Sequence, residues 1–354
     1  MSVNIKLIGS AEIIMSNPEG PHSYFGWPTI VKLKNGTLAV GASGYRIDHI
    51  CPFGKAVLAF SNDEGENYSN PEAVIDTVLD DRDAGLTVFN ESGLILTSFN
   101  NTVEFQRQNM PKIKECFDYI NSVSPQDEAK ALGVNFRISK DNGASFGKIH
   151  KSPVTSPHGP IVLNDGKILW IGTVYGEQGK IEAYTINPDD GSLNFYSRID
   201  TDGYGDLMFD EPNAIQLPDG KIICHFRIEE ESRNIFTLYQ SVSEDNGKTW
   251  SKLKQIIKDD SGAPAHLFLH SSGTLISAFS RRSMPYGIRA VFSNDGGETW
   301  SDEHIIYENR CSDDLGYPST VELNDGSLLT AFYAKEAEDS PAVIMQQKWC
   351  FDNN

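Results

Sequence analysis

Six times along the chain, two short apolar runs flank a polar turn that contains glycine. The copies are VKLKNGTLAV, TVFNESGLIL, IVLNDGKILW, AIQLPDGKII, LFLHSSGTLI and TVELNDGSLL, with their glycines at Gly36, Gly93, Gly166, Gly220, Gly273 and Gly326. Apolar runs of this length, separated by Asn, Asp and Gly, predict antiparallel hairpins. The glycines lie 57, 73, 54, 53 and 53 residues apart. One unit therefore occupies about 54 residues, and one unit carries an insertion.

A second pattern, Ser-x-Asp-x-Gly-x-x-aromatic, recurs as SNDEGENY from Ser61, SKDNGASF from Ser139, SEDNGKTW from Ser243 and SNDGGETW from Ser293. Asp can bond the amides of its own turn, Gly supplies a positive φ, and the aromatic can fold back onto an apolar edge. A calcium loop would need further ligand positions and a distal Glu that no copy has, so the pattern is read as a hairpin closure. Without an insertion, the Asp turn follows the glycine hairpin by 24 to 29 residues, enough for a four-stranded sheet. Six such sheets predict an all-β fold, a six-bladed β-propeller of four-stranded antiparallel blades forming a single domain over residues 1–354. Too little chain follows the last hairpin for four strands, so NIKLIGSAEII near the N-terminus is expected to supply the missing one and close the ring. Blade three carries a degenerate copy of the Asp turn, TINPDDGSLNF. A short helical insertion is expected in blade two at about 101–132, with Ser124-Pro125-Gln126-Asp127 as an N-terminal cap and a position suited to a rim or lid.

Charge then narrows the partners. A formal net charge of -19 disfavours nucleic acid and anionic membranes, both of which demand basic surface. No apolar stretch approaches a membrane span, and MSVNIKLIGS lacks the basic start and apolar core of a leader, so the sequence as it stands reads as cytoplasmic, or secreted if a signal was trimmed. Five scattered cysteines without a Cys-x-x-Cys pair read as free thiols in a reducing compartment. No phosphate-binding glycine loop or nucleotide motif occurs, so no cofactor is expected. The acidic residues Asp80, Asp81 and Asp83, and the pair Asp313 and Asp314, read as solvated turns rather than a metal site.

In a propeller, the start of each innermost strand and the end of the next face one mouth of the central channel. Those positions hold Trp27, Tyr45, Arg46 and Asp48 in blade one, Arg82, Asp83 and Asn100 in blade two, and His158 and Tyr175 in blade three. They continue with Asp210, Glu211 and Arg227 in blade four, His266, Arg281 and Arg282 in blade five, with Arg289 on the next strand, and Asp313, Asp314, Tyr317 and Tyr333 in blade six. Arginines gathered in an acidic protein point to a ligand with an anionic group, because the guanidinium fork matches a carboxylate. Each Arg could equally pair a neighbouring acid. His158 and His266, at equivalent places, could bond sugar hydroxyls, act as acids, or be satisfied by backbone.

With four Asp boxes and this layout, the chain resembles the sialidase superfamily of six-bladed propellers along nearly its whole length. EPNAIQLPDGKIICHFR resembles the segment that carries the family's general base and a carboxylate-binding Arg, implying those roles for Glu211 and Arg227. GYPSTVELNDGSLLTAFY resembles the segment of the tyrosine nucleophile, implying Tyr317. YGIRAVFSNDGGETW places Arg289 near a further triad Arg, with Arg281 and Arg282 as competitors. Arg46 suits another family arginine, and Asp48 is the nearest candidate for the acid. A phenol nucleophile suits a substrate whose anomeric carbon bears a carboxylate, which would repel an anionic nucleophile. The resemblance implies a retaining exo-glycosidase removing a terminal acidic sugar. Where the family begins blade one with Phe-Arg-Ile-Pro, this chain has Phe25-Gly26-Trp27-Pro28. Arg82 could replace the lost charge. The departure favours two alternatives, a propeller hydrolase or lyase for another sugar such as a uronic acid, and a noncatalytic glycan-binding propeller.

Overall fold

The computed structural model describes residues 4–230, 235–258, 262 and 264–352. Six antiparallel sheets are arranged as a propeller, with the strand that precedes each glycine hairpin innermost. In blade four, for example, Met208–Gln216 pairs with Ile222–Glu230, which pairs with Ile235–Ser243, and the short strand Lys254–Gln255 is outermost. The ring closes as expected. Ile5–Met15 forms the outermost strand of blade six, pairing antiparallel with Ala342–Phe351, so the two ends of the chain are tied in one sheet and neither end blade can peel away alone.

Blade three departs from the regular plan. Its innermost strand is split into Val154–Thr155 and Ile161–Val162, both paired with Ile168–Val174. Pro157 and Pro160 lie between the pieces, and neither has an amide hydrogen to give to the ladder.

Apolar side chains pack between the blades. One cluster joins blades six and one through Trp27, Val40, Leu329 and Ile344, and another joins blades three and four through Leu169, Ile171, Ile222 and Phe226. The Asp boxes fasten these seams. In each, the Ser hydroxyl donates to the Asp carboxylate and accepts the Gly amide, as between Ser243, Asp245 and Gly247 at 2.8 Å for both bonds. The aromatic then reaches back to the preceding blade. Trp300 Nε1 donates to Gln240 at 3.0 Å, Trp250 Nε1 to Ser197 at 3.2 Å, and the Tyr68 hydroxyl to Gln346 at 2.9 Å. Donors around Asp141, Asp245 and Asp295 hold their carboxyls down at about 2, so these turns stay charged across the physiological range.

The insertion in blade two contains three helices, Val103–Asn109, Lys114–Ser122 and Pro125–Ala131. Ser124 Oγ accepts the Asp127 amide at 3.1 Å, the cap expected from the sequence. The helices pack on Ile47, Phe53, Val78 and Leu79, bracing the loop after the second strand of blade one. No helix among the described residues is long and apolar enough to cross a membrane.

Candidate active site

Four side chains enter the channel mouth from one repeated backbone device. Trp27, Asp83, Glu211 and Tyr317 have φ of 55°, 56°, 47° and 51°. Each lies where the innermost strand skips register against its neighbour, between Gly26 and Thr29, Arg82 and Gly85, Asp210 and Asn213, and Gly316 and Ser319. Positive φ in a non-glycine residue is unfavourable and collects where function over-determines the backbone. A bulge re-aims a side chain that a regular strand would turn into the blade. Repetition in blades one, two, four and six therefore marks this ring of residues as built for the mouth.

At its centre the Tyr317 hydroxyl donates to Glu211 Oε1, and Arg227 Nη1 donates to Glu211 Oε2 at 2.9 Å. Arg227 Nη2 also reaches Glu229 at 2.7 Å. Burial and the Glu211 charge hold the Tyr317 phenol well above its usual range, while Arg227 and Arg282 oppose that shift. Tyr317 is therefore a phenol at neutral pH, with its proton already directed at a carboxylate.

Arg282, from blade five, lies 5.9 Å from the Tyr317 ring and donates to Tyr333 Oη and to the Leu315 carbonyl, each at 3.0 Å. Arg82 sits over Trp27, 4.2 Å from the ring, and donates to the His49 carbonyl at 2.9 Å. Trp27 is buried against Tyr317 and Tyr333, with ring centroids 6.4 and 5.8 Å apart. Arg227 and Arg282 thus flank the Tyr317 and Glu211 pair as its cations, while Arg82 lies against Trp27 and pairs with Asp80 at 3.4 Å.

Other candidates are placed elsewhere. All five guanidinium hydrogens of Arg46 are used inside the protein. They go to both oxygens of Asp80, to Ser43 Oγ at 2.9 Å, and to the carbonyls of Asp48 at 3.3 Å and His49 at 2.9 Å. None remains for a bound anion, and Arg46 instead holds the 48–49 loop. Arg289 is buried on the carbonyls of Pro285, Ile288 and Tyr307, and Arg281 pairs with Glu303. Of the three blade-five arginines, only Arg282 faces Tyr317. Asp48 is exposed, and its carboxylate accepts the His49 amide at 2.7 Å. His158 and His266 pack edge to face at 5.0 Å within the central channel, lining a cavity of about 450 Å³ with Asn213 and Thr320. Burial lowers the basicity of both. Both belong to the channel interior rather than to the Tyr317 cluster.

Of the acidic residues read as solvated, Asp313 is exposed, whereas Asp80, Asp81 and Asp83 are buried and Asp314 is half-buried. Asp80 and Asp81 are fully buried; Asp80 binds Arg46, and Asp81 accepts from Thr77 and Asn100. Asp314 accepts from Tyr24 at 2.9 Å and contacts His49 Nδ1 at 3.0 Å, and these groups hold its carboxyl at about 2 despite burial. His49 and Tyr24 were not legible as site residues, because their partner lies more than 260 positions away. Where an arginine would replace Gly26, a Cβ would already be 3.3 Å from the Tyr24 ring and 3.9 Å from Tyr333. Two buried tyrosines fill that space. Among the described residues no cluster of three or more His, Cys, Asp or Glu could hold a metal ion.

A six-bladed Asp-box propeller with a Tyr, Glu and Arg cluster at one channel mouth defines the class. The chain belongs to the BNR repeat-like domain family, which matches residues 117–330. No curated protein matches it in sequence. Among solved structures, it resembles a protein of unknown function from Dyadobacter fermentans, with 18% identity, a TM-score of 0.78, and 98% of this chain and 99% of that chain covered. It also resembles the NanB sialidase from Streptococcus pneumoniae, with 13% identity, a TM-score of 0.69, and 96% and 70% covered. A third is the Trypanosoma rangeli sialidase in complex with 2,3-difluorosialic acid as a covalent intermediate, with 14% identity, a TM-score of 0.64, and 98% and 59% covered. Likeness at these identities concerns the fold.

Proposed function

We propose that the protein is a sialidase-like exo-glycosidase that removes a terminal acidic sugar by a retaining mechanism, with Tyr317 as nucleophile and Glu211 as its base. One observation carries the reading: the Tyr317 hydroxyl donates to a Glu211 carboxylate whose other oxygen is held by Arg227. A nucleophile needs an oriented base, and a base needs an orienter. As Tyr317 oxygen bonds to the anomeric carbon, its proton passes to Glu211, and Arg227 keeps Glu211 aimed. Guanidinium groups of Arg227, Arg282 and Arg82 would hold the substrate carboxylate. The likeness to the sialidases of S. pneumoniae and T. rangeli supports a sialic acid or a related nonulosonic acid as that sugar.

Gly26, closed in by Tyr24 and Tyr333, favours a second reading, in which the site takes another acidic sugar such as a uronic acid, or binds a glycan without cleaving it. Chromophore release from aryl glycosides of sialic acid, other nonulosonic acids and uronic acids separates these readings. Turnover of a nonulosonic acid, abolished in Tyr317→Phe, is the expected result. Turnover of uronides alone, or turnover insensitive to Tyr317→Phe, would overturn the nucleophile assignment.

A further inference from the structure

A retaining glycosidase also needs a group that protonates the departing oxygen and later deprotonates water. Beside Glu211, a cavity of about 300 Å³ is lined by Asp83, Asp210, Thr173, Tyr175 and Gln178. Its four carboxylates, those of Asp83, Glu177, Asp210 and Glu211, differ in what they already bind, and Glu177 at the rim pairs with Lys180 at 3.0 Å. Glu211 is held by Tyr317 and Arg227. Asp210 accepts the Thr173 hydroxyl at 2.6 Å and the Glu211 amide at 2.8 Å. Asp83 is only 6% exposed, yet among the described residues no hydrogen bond or ion pair engages its carboxylate. A buried carboxyl without a donor is costly unless it is neutral or meets a ligand. Its backbone uses the same positive-φ bulge that aims Glu211 and Tyr317, so the fold directs it into the mouth at a conformational cost.

We propose, building on the reading of Tyr317 and Glu211 given above, that Asp83 is the acid and base of the reaction, a role that falls to neither Asp48 nor His49. In the first step the Asp83 carboxyl gives its proton to the glycosidic oxygen, which leaves with the electron pair of the breaking bond. Tyr317 oxygen forms the new bond to the anomeric carbon, and the phenol proton moves to Glu211. In the second step the Asp83 carboxylate takes a proton from water as the water oxygen bonds to that carbon. Glu211 returns its proton to the departing Tyr317 oxygen, and both carboxyls are restored.

The electrostatics agree with this cycle. Burial, with the charges of Glu211 and Asp210, pushes the Asp83 carboxyl up to about 7, against the opposing pull of Arg82 and Arg46. Tyr317 feels the Asp83 charge as well. An acid poised near neutrality suits proton transfer in both directions.

The test compares wild type, Asp83→Asn, Asp83→Glu, Asp48→Asn and His49→Gln on two glycosides of sialic acid, one with a nitrophenyl and one with a methyl leaving group. Asp83→Asn is expected to lower kcat/KM for the methyl glycoside by roughly 10² to 10⁴. For the nitrophenyl glycoside, whose leaving group needs no proton, the same variant should lose less than about tenfold, because only the acid's share of the barrier is removed. Asp83→Glu should recover part of the methyl activity. The wild type should lose activity above about pH 7, and Asp83→Asn should lack that limb on the nitrophenyl substrate. Equal loss on both substrates, or leaving-group selectivity arising in Asp48→Asn or His49→Gln instead, would overturn the assignment while Tyr317→Phe still reports on the nucleophile. A wild-type profile flat across neutrality would overturn it without any substitution. Absence of wild-type turnover on both substrates would overturn both readings together.

Discussion

Asp80→Asn is predicted to be among the most destabilising conservative substitutions in the chain. Asp80 is fully buried and meets Arg46 with both oxygens, Gln106 Nε2 at 3.2 Å and Arg82 Nη1 at 3.4 Å. The side chains of Arg46 and Asp80 are both 0% exposed, so water cannot replace the lost charge. Removing one partner of a buried pair leaves the other charge uncompensated, at a cost of about 3 to 5 kcal/mol. Unfolding entropy of about 2 cal/mol/K per residue over 354 residues converts 4 kcal/mol to about 5 °C in Tm. Lys55 and Asp76 provide the control, because that pair is 37% and 48% exposed, and Asp76→Asn should cost under about 1 kcal/mol. Urea titration and thermal melts of the two variants give the comparison. Losses equal within error would refute the argument that Arg46 is a framework cation, and would return it to the candidates for ligand binding.

Further outcomes follow from the same geometry. Ser243→Ala removes the hydroxyl that joins Asp245 to the Gly247 amide, and should cost about 1 kcal/mol in urea titration. Gly26→Arg should not restore an arginine to the mouth. The new side chain must displace Tyr24 or Tyr333, so a loss of about 1 to 3 kcal/mol is expected, with no gain in affinity for the acidic sugar. For Asp83, the folded pKa of about 7 lies above an unfolded value of about 4. Its stabilising contribution is therefore complete below about pH 4 and lost as pH rises through about 7. Asp83→Asn should then raise stability at pH 8 relative to wild type by as much as about 4 kcal/mol, seen as a higher Tm, and leave it little changed near pH 4; a fall in Tm at pH 8 would contradict the assigned shift.

Much of the architecture was legible because it repeats. A glycine turn at near-constant spacing fixes the number of blades, and the shortage of chain after Gly326 already requires the N-terminal strand to close blade six. Tyr317, Glu211 and Arg227 could be picked out because each stands at a set place relative to a hairpin. Partnership across blades is not written in such patterns. Arg46 looks like a ligand arginine until Asp80, 34 residues away, is seen to take two of its donors. The difference between Arg281 and Arg282 is one of alternation. Consecutive residues near a strand end point to opposite faces, and Arg281 turns to Glu303 while Arg282 turns to Tyr333. Asp80 and Asp81 read as a solvated turn because charge runs usually are, whereas here the blade-two insertion and the 48–49 loop cover them. Asp83 gave no signal beyond its position, since the missing partner that sets it apart is visible only in three dimensions.

Trapping the intermediate tests the central claim most directly. The protein, incubated with 2,3-difluorosialic acid, would be digested and its peptides weighed. One glycosyl adduct on the peptide that contains Tyr317, absent in Tyr317→Phe and slow to form in Glu211→Gln, is the predicted result. An adduct on another residue, or turnover of the parent glycoside that persists in Tyr317→Phe, would contradict the account.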